Sequence, residues 1–158
     1  MLALKLLTSS NAEQPCSVFY SFKIETDKIM KKIINTAHAP AAVGPYSQGN
    51  AFGNLVFTSG QLPLNPETMK FPEGGIKEQA AQALENLKAI LEAADADFST
   101  VLKVTCYLDD INDFADFNEV YTDFFGTENA PARSCFEVGA LPMGALVEIE
   151  AIAYRKES

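Results

Sequence analysis

The chain has 158 residues, with 12 Lys+Arg against 21 Asp+Glu for a net charge of −9. Such a surface repels phosphate backbones, so no nucleic acid is expected as a partner, and no run approaches the roughly 18 apolar residues of a membrane span. Three scattered cysteines (Cys16, Cys106, Cys135) and one histidine, His38, build neither a disulfide framework nor a multi-His metal site, so no metal or cofactor is expected and a reducing, cytoplasmic compartment is implied.

Residues 1–29 sum to zero charge: Lys5, Lys23 and Lys28 balance Glu13, Glu25 and Asp27. They read as an N-terminal extension of uncertain role, ahead of a domain at 30–158. Met30-Lys31-Lys32 resembles a protein start. The extension has no signal-peptide cleavage site and no Arg, although organellar targeting stays open. Val18–Ile24 can form an edge strand.

Lys31–Asn35 is the first strand candidate of the domain, and Ala39–Pro45 a loop held out of regular structure by two prolines. Tyr46–Phe52 and Asn54–Ser59 read as a hairpin turning near Gly53. Gln61–Gly75 is a Pro/Gly-rich loop. Ile76, Ala80, Ala83, Leu84, Leu87, Ile90, Leu91 and Ala94 recur at helical spacing, giving an amphipathic helix of about five turns. Val101–Leu108 is a β-branched strand. Phe114, Phe117, Tyr121, Phe124 and Phe125 mark a second helix, capped by Asn112 or Asp113 and ended by Gly126. Ala132–Val138 and Leu146–Tyr154 are the last two strands. The order β-β-β-α-β-α-β-β describes an α+β fold with a mixed sheet and two helices on one face. The other face must be solvated or buried in an oligomer.

The period of two sorts the last strands. Arg133, Cys135 and Glu137 share one face of theirs. Glu148 and Glu150 alternate with the apolar set Val147, Ile149 and Ala151, which must meet the helices. Glu148 therefore looks away from the helices, and Arg133 with Cys135 can do so too. On one shared face, a guanidinium and a carboxylate read either as a cross-strand ion pair or as an anion site. In the second case Arg133 holds a substrate carboxylate and a nearby carboxylate handles a proton. Asn118 sits on the apolar stripe of its helix, either bonding sheet backbone or pointing an amide into a pocket. Cys106 reads as core and Cys135 as an ordinary buried thiol.

Four motifs then point to a family. Gly44-Pro45-Tyr46-Ser47-Gln48-Gly49, Thr58-Ser59-Gly60-Gln61-Leu62-Pro63, Pro131-Ala132-Arg133-Ser134-Cys135 and Val147-Glu148-Ile149-Glu150-Ala151-Ile152-Ala153, in this order and spacing, resemble the Rid (YjgF) family. The likeness is to its RidA branch of 2-iminobutanoate/2-iminopropanoate deaminases and runs from about Met30 to Arg155. It implies a chorismate-mutase-like protomer and a homotrimer with an inner barrel and clefts between subunits. It also implies hydrolysis of reactive enamine/imine intermediates (2-aminoacrylate/2-iminopropanoate, 2-iminobutanoate) to 2-keto acids and ammonia. By that likeness Arg133 binds the carboxylate, the backbone of Cys135 lines the cleft, and Glu148 positions or activates the water. Tyr46, Ser59 and Asn118 line or support the site. The stretch Gly126–Ala130 is shorter than in many relatives, and residues 1–29 have no counterpart. The alternative function is a non-catalytic, small-carboxylate-binding regulatory or chaperone-like trimer. RNA cleavage, attached to some relatives, finds no basic-aromatic stripe here.

Overall fold

Alternation drives the last strand: Val147, Ile149, Ala151 and Ala153 are buried while Glu148, Glu150 and Ile152 between them are only partly covered. A computed structural model describes residues 30–156 of the chain, so the strand expected at Val18–Ile24 lies outside the described residues. The elements are β1 (Lys32–Ile34), β2 (Gly49–Phe52), β3 (Leu55–Thr58), α1 (Ile76–Glu92), β4 (Val101–Leu108), α2 (Phe114–Phe125), β5 (Ala132–Glu137) and β6 (Val147–Tyr154). This is the expected order. The sheet runs β1-β2-β3-β6-β4-β5. Its pairs are antiparallel except β4–β5, which α2 joins as a parallel crossover.

Both helices cover one face. Leu84, Leu87, Ile90 and Leu91 of α1 are fully buried in one cluster with Val56, Val104, Ile149, Ala151 and Ala153 of the sheet. Each such side chain contributes about 1.5–3 kcal/mol of transfer free energy. Lys77 ties α1 to α2 through Glu119 and Asp116 at 2.6 and 3.3 Å, an exposed link of modest worth. At the β2–β3 turn Gly53 takes φ 60°, as expected for a tight hairpin.

Asp113 occupies the N-cap position of α2, one of the two residues expected there, but it lies in helical backbone and makes no side-chain capping bond. A single 3₁₀ turn, Ile111–Asp113, precedes the helix, and Asp110 caps that turn by accepting from Asn112 N at 2.8 Å. The side-chain capping bond thus falls on the 3₁₀ turn, ahead of the α-helix proper. Among the described residues no helix is long and apolar enough to cross a membrane.

The open face carries Ile33, Phe52, Leu55, Phe57, Phe136 and Tyr154, all exposed. Phe52 and Phe136 are more than half exposed, at 55% and 53%. A face this apolar in an isolated protomer is unlike a solvated sheet surface.

Candidate active site

The Ser59-Gly60 segment is a bulge built by sequence. Phe57 pairs with Ile152 and Gln61 bridges Ile149, so the chain takes four steps on one side against three on the other. Thr58 Oγ1 accepts from Ala151 N at 2.9 Å, replacing a ladder carbonyl. Gln61 N donates to Ile149 O at 2.8 Å and restores the pairing. The Gln61 side-chain amide then donates to Ser59 O and Gly60 O at 3.0 and 3.2 Å, bracing the bulge from behind.

Glu148 lies against this bulge. A β-carbon on Gly60 would fall 1.9 Å from Glu148 Oε1, so the carboxylate occupies space that only glycine leaves open. Burial, and then the Glu150 charge on the same face, push the Glu148 carboxyl above its ordinary value. Glu150 itself accepts from Tyr107 Oη at 3.1 Å.

Tyr46, Ser59 and Glu148 line one cleft of about 500 Å³ with an apolar wall that includes Val43, Leu62 and Met143. Buried amides hold its rim. Gln48 accepts from Thr36 N at 2.7 Å and donates to Thr36 O, Ala39 O and Pro40 O at 3.0, 3.1 and 2.8 Å. Ser59 Oγ donates to Ser47 O at 2.6 Å, tying the bulge to the loop that carries Tyr46. Asn86 of α1 donates to Leu62 O and Leu64 O at 2.9 and 2.8 Å. Sequence reasoning passed over Gly60, Gln48, Gln61 and Asn86 as individual positions. For Asn86 a signal existed: like Asn118, it is an amide on an apolar helical stripe.

Arg133 is elsewhere. It pairs with Val104, and Cys135 with Cys106, on the ladder whose other rung is Cys106–Ile149. Val104, Cys106 and Ile149 face the helices, so Arg133 and Cys135 do as well. Glu148 belongs to the opposite rung, with Tyr107 and Phe136. The expectation that Arg133, Cys135 and Glu148 share a sheet face is thus corrected, and a cross-strand ion pair between them within one protomer goes with it. The period of two within each strand holds. Only the register between strands decides which set faces the helices.

The Arg133 guanidinium sits 4.4 Å from the Tyr121 ring centroid and 5.5 Å from that of Phe114. Its Nη1 is buried without a hydrogen-bond partner among the described residues. Asn118 lies on α2 one turn from each of those aromatics and is partly buried. The Cys135 thiol is pulled down to about 7, by a hydrogen bond from Cys106 and by the Arg133 charge. The Cys106 thiol is pushed up by the same bond and by burial. The structure therefore brings together Tyr46, Ser59 and Glu148 as one group and Arg133, Cys135 and Asn118 as another, with the sheet between them. No group of three or more His, Cys, Asp or Glu among the described residues is arranged to hold a metal ion.

Fold and site define an α+β protomer with a bulge-held carboxylate on the open face of its sheet and an aromatic-backed arginine on the other. A family model described as Endoribonuclease L-PSP matches residues 36–155, and the chain belongs to this Rid (YjgF) family. It is 53% identical over 127 residues to a RutC family protein of Pyrococcus horikoshii, covering 80% of this chain and 100% of that one. It is 50% identical over 129 residues to the 2-iminobutanoate/2-iminopropanoate deaminase of Escherichia coli K12, covering 80% and 100%. The crystal structure of E. coli TdcF with bound serine matches with a TM-score of 0.75 and 48% identity, over 79% of this chain and 99% of that one.

Proposed function

We propose that this protein hydrolyses small 2-imino carboxylates, such as 2-iminopropanoate and 2-iminobutanoate, to 2-keto acids and ammonia. We place the reaction between two copies of the chain in a homotrimer. Arg133, Asn118 and the Cys135 backbone of one protomer would meet Tyr46, Ser59 and Glu148 of the next. One observation carries this reading: an arginine with an unpartnered buried Nη1 and a carboxylate with a raised pKa stand on opposite faces of one sheet. A single copy cannot unite them. The exposed apolar face supports an assembly that covers it. The deaminase name of a relative 50% identical and the serine bound to TdcF support the substrate class.

In the proposed reaction Arg133 grips the substrate carboxylate with its planar fork. Water adds to the imine carbon as Glu148 takes its proton, and Glu148 delivers that proton to the imine nitrogen to give a neutral carbinolamine. Glu148 then takes the carbinolamine hydroxyl proton and passes it to the nitrogen as the C–N bond breaks, so the carbonyl forms and ammonia leaves. A carboxyl raised by burial suits both halves of this exchange, a role worth typically about 10²–10⁴-fold.

The test is hydrolysis of freshly generated 2-aminoacrylate by wild type, Arg133→Ala and Glu148→Gln. Each variant alone should lose at least about 100-fold in rate. Unfolding and reassembling the two variants together should restore part of the rate, because some clefts then carry both wild-type groups. Full activity in either variant, or no recovery in the mixture, would sink the shared-cleft assignment. A protein that binds 2-ketobutyrate but leaves imine lifetimes unchanged would favour the non-catalytic alternative.

A further inference from the structure

We infer that Cys106 and Cys135 form an oxidant-reactive thiol pair that a peroxide converts to an intrachain disulfide. The two residues are direct partners in the parallel β4–β5 ladder, and both side chains lie on the helix face. Both are free thiols, Cys106 fully buried and Cys135 partly exposed. Adjacent strands run about 4.8 Å apart, within the roughly 4.4–6.8 Å span between α-carbons that a disulfide bridges. The inference is independent of the imine reaction, which uses neither sulfur.

The chemistry divides by access. Cys135 reaches solvent at the edge strand of the sheet, and Arg133, two residues away on the same face, favours its thiolate. Cys106 is fully buried. The Cys135 thiolate attacks one peroxide oxygen: an S–O bond forms, the O–O bond breaks, and an alcohol or water leaves. The Cys106 sulfur then attacks the Cys135 sulfur: the S–S bond forms and the S–O bond breaks. Hydroxide departs with the Cys106 proton as water. The peroxide gains two electrons and the two thiols supply them.

Position also explains why Cys106 would serve as the resolving thiol. Its place directly across the parallel ladder sets the two side chains side by side on one sheet face. Without a neighbouring thiol, an oxidised Cys135 would proceed up the ladder to sulfinic acid.

The experiment uses the full chain carrying Cys16→Ser, so that only this pair remains. It is freed of reductant and exposed to a small excess of hydrogen peroxide. Expected are a loss of two hydrogens by intact mass, loss of both alkylatable thiols after denaturation, and recovery of both with dithiothreitol. Peptide mapping should join Cys106 to Cys135 within one chain. Adding Cys106→Val should replace the disulfide with oxygen addition at Cys135. Oxygen addition at Cys135 while Cys106 stays alkylatable overturns the pairing, as does a cross-link between chains. Two unreacted thiols overturn it as well. If the Cys106→Val variant does not fold, the mass and mapping results on the parent decide alone.

Discussion

Gly60 and Glu148 touch across the β3–β6 boundary: a β-carbon on Gly60 would lie 1.9 Å from Glu148 Oε1 and 2.9 Å from its Cγ. The side chain of Glu148 is thus shaped by the absence of one at position 60. Gly60 needs no unusual backbone angle to do this. It serves by close approach alone.

Gly60→Ala should therefore displace the carboxylate while leaving the fold standing. The clashing atoms belong to a side chain that can swing away, so the thermal midpoint should change little. Imine hydrolysis should fall by roughly 10–100-fold, since small misplacements of a reacting group cost about that much. Rate and melting temperature measured on one preparation check the split. An unchanged rate would mean that Glu148 is not held where it acts.

The raised pKa of Glu148 links activity and stability to pH. A carboxyl whose pKa rises on folding is most at ease while protonated. Its contribution to stability is intact below the ordinary carboxylate pKa and is lost as pH rises through the folded value. Glu148→Gln removes that loss. The variant should melt above wild type at neutral pH, and the gain should vanish below the ordinary carboxylate pKa. Wild-type hydrolysis should decline as acid protonates the same group. Melting curves across pH and a pH–rate profile test both.

Gln48 makes four hydrogen bonds to the backbone of residues 36–40 from a buried position. Gln48→Leu keeps the volume but leaves one N–H and three carbonyls short of partners. A loss of about 2–4 kcal/mol in unfolding free energy is expected, because stranded polar groups lose their full solvation. The Tyr46 loop should loosen with it, raising KM more than it lowers kcat. Denaturant titration and steady-state kinetics separate the two effects.

Element order was legible in the sequence because each element announces itself locally. The apolar period of α1, the β-branched run of β4 and the alternation of β6 depend on neighbours a few residues apart. The 3₁₀ turn ahead of α2 was not, since Asp110, Asn112 and Asp113 all offer suitable capping side chains and only backbone geometry decides which one makes the bond. Within the site, Glu148 was legible as facing away from the helices, because Val147 and Ile149 had to face them. Arg133 was not. Its strand has no apolar alternation strong enough to name a buried face: Arg133, Ser134 and Cys135 are all partly buried.

The sequence by itself determined how the side chains alternate along each strand and how acidic the chain is. Only the tertiary structure decided how the strands stand beside one another. The register of the parallel pairing sets Cys135 against Cys106, turns Arg133 toward Tyr121 and leaves Glu148 on the opposite face. A shift of one residue in that register would exchange the two faces. Strand register depends on packing between segments far apart in the chain, which local pattern does not encode.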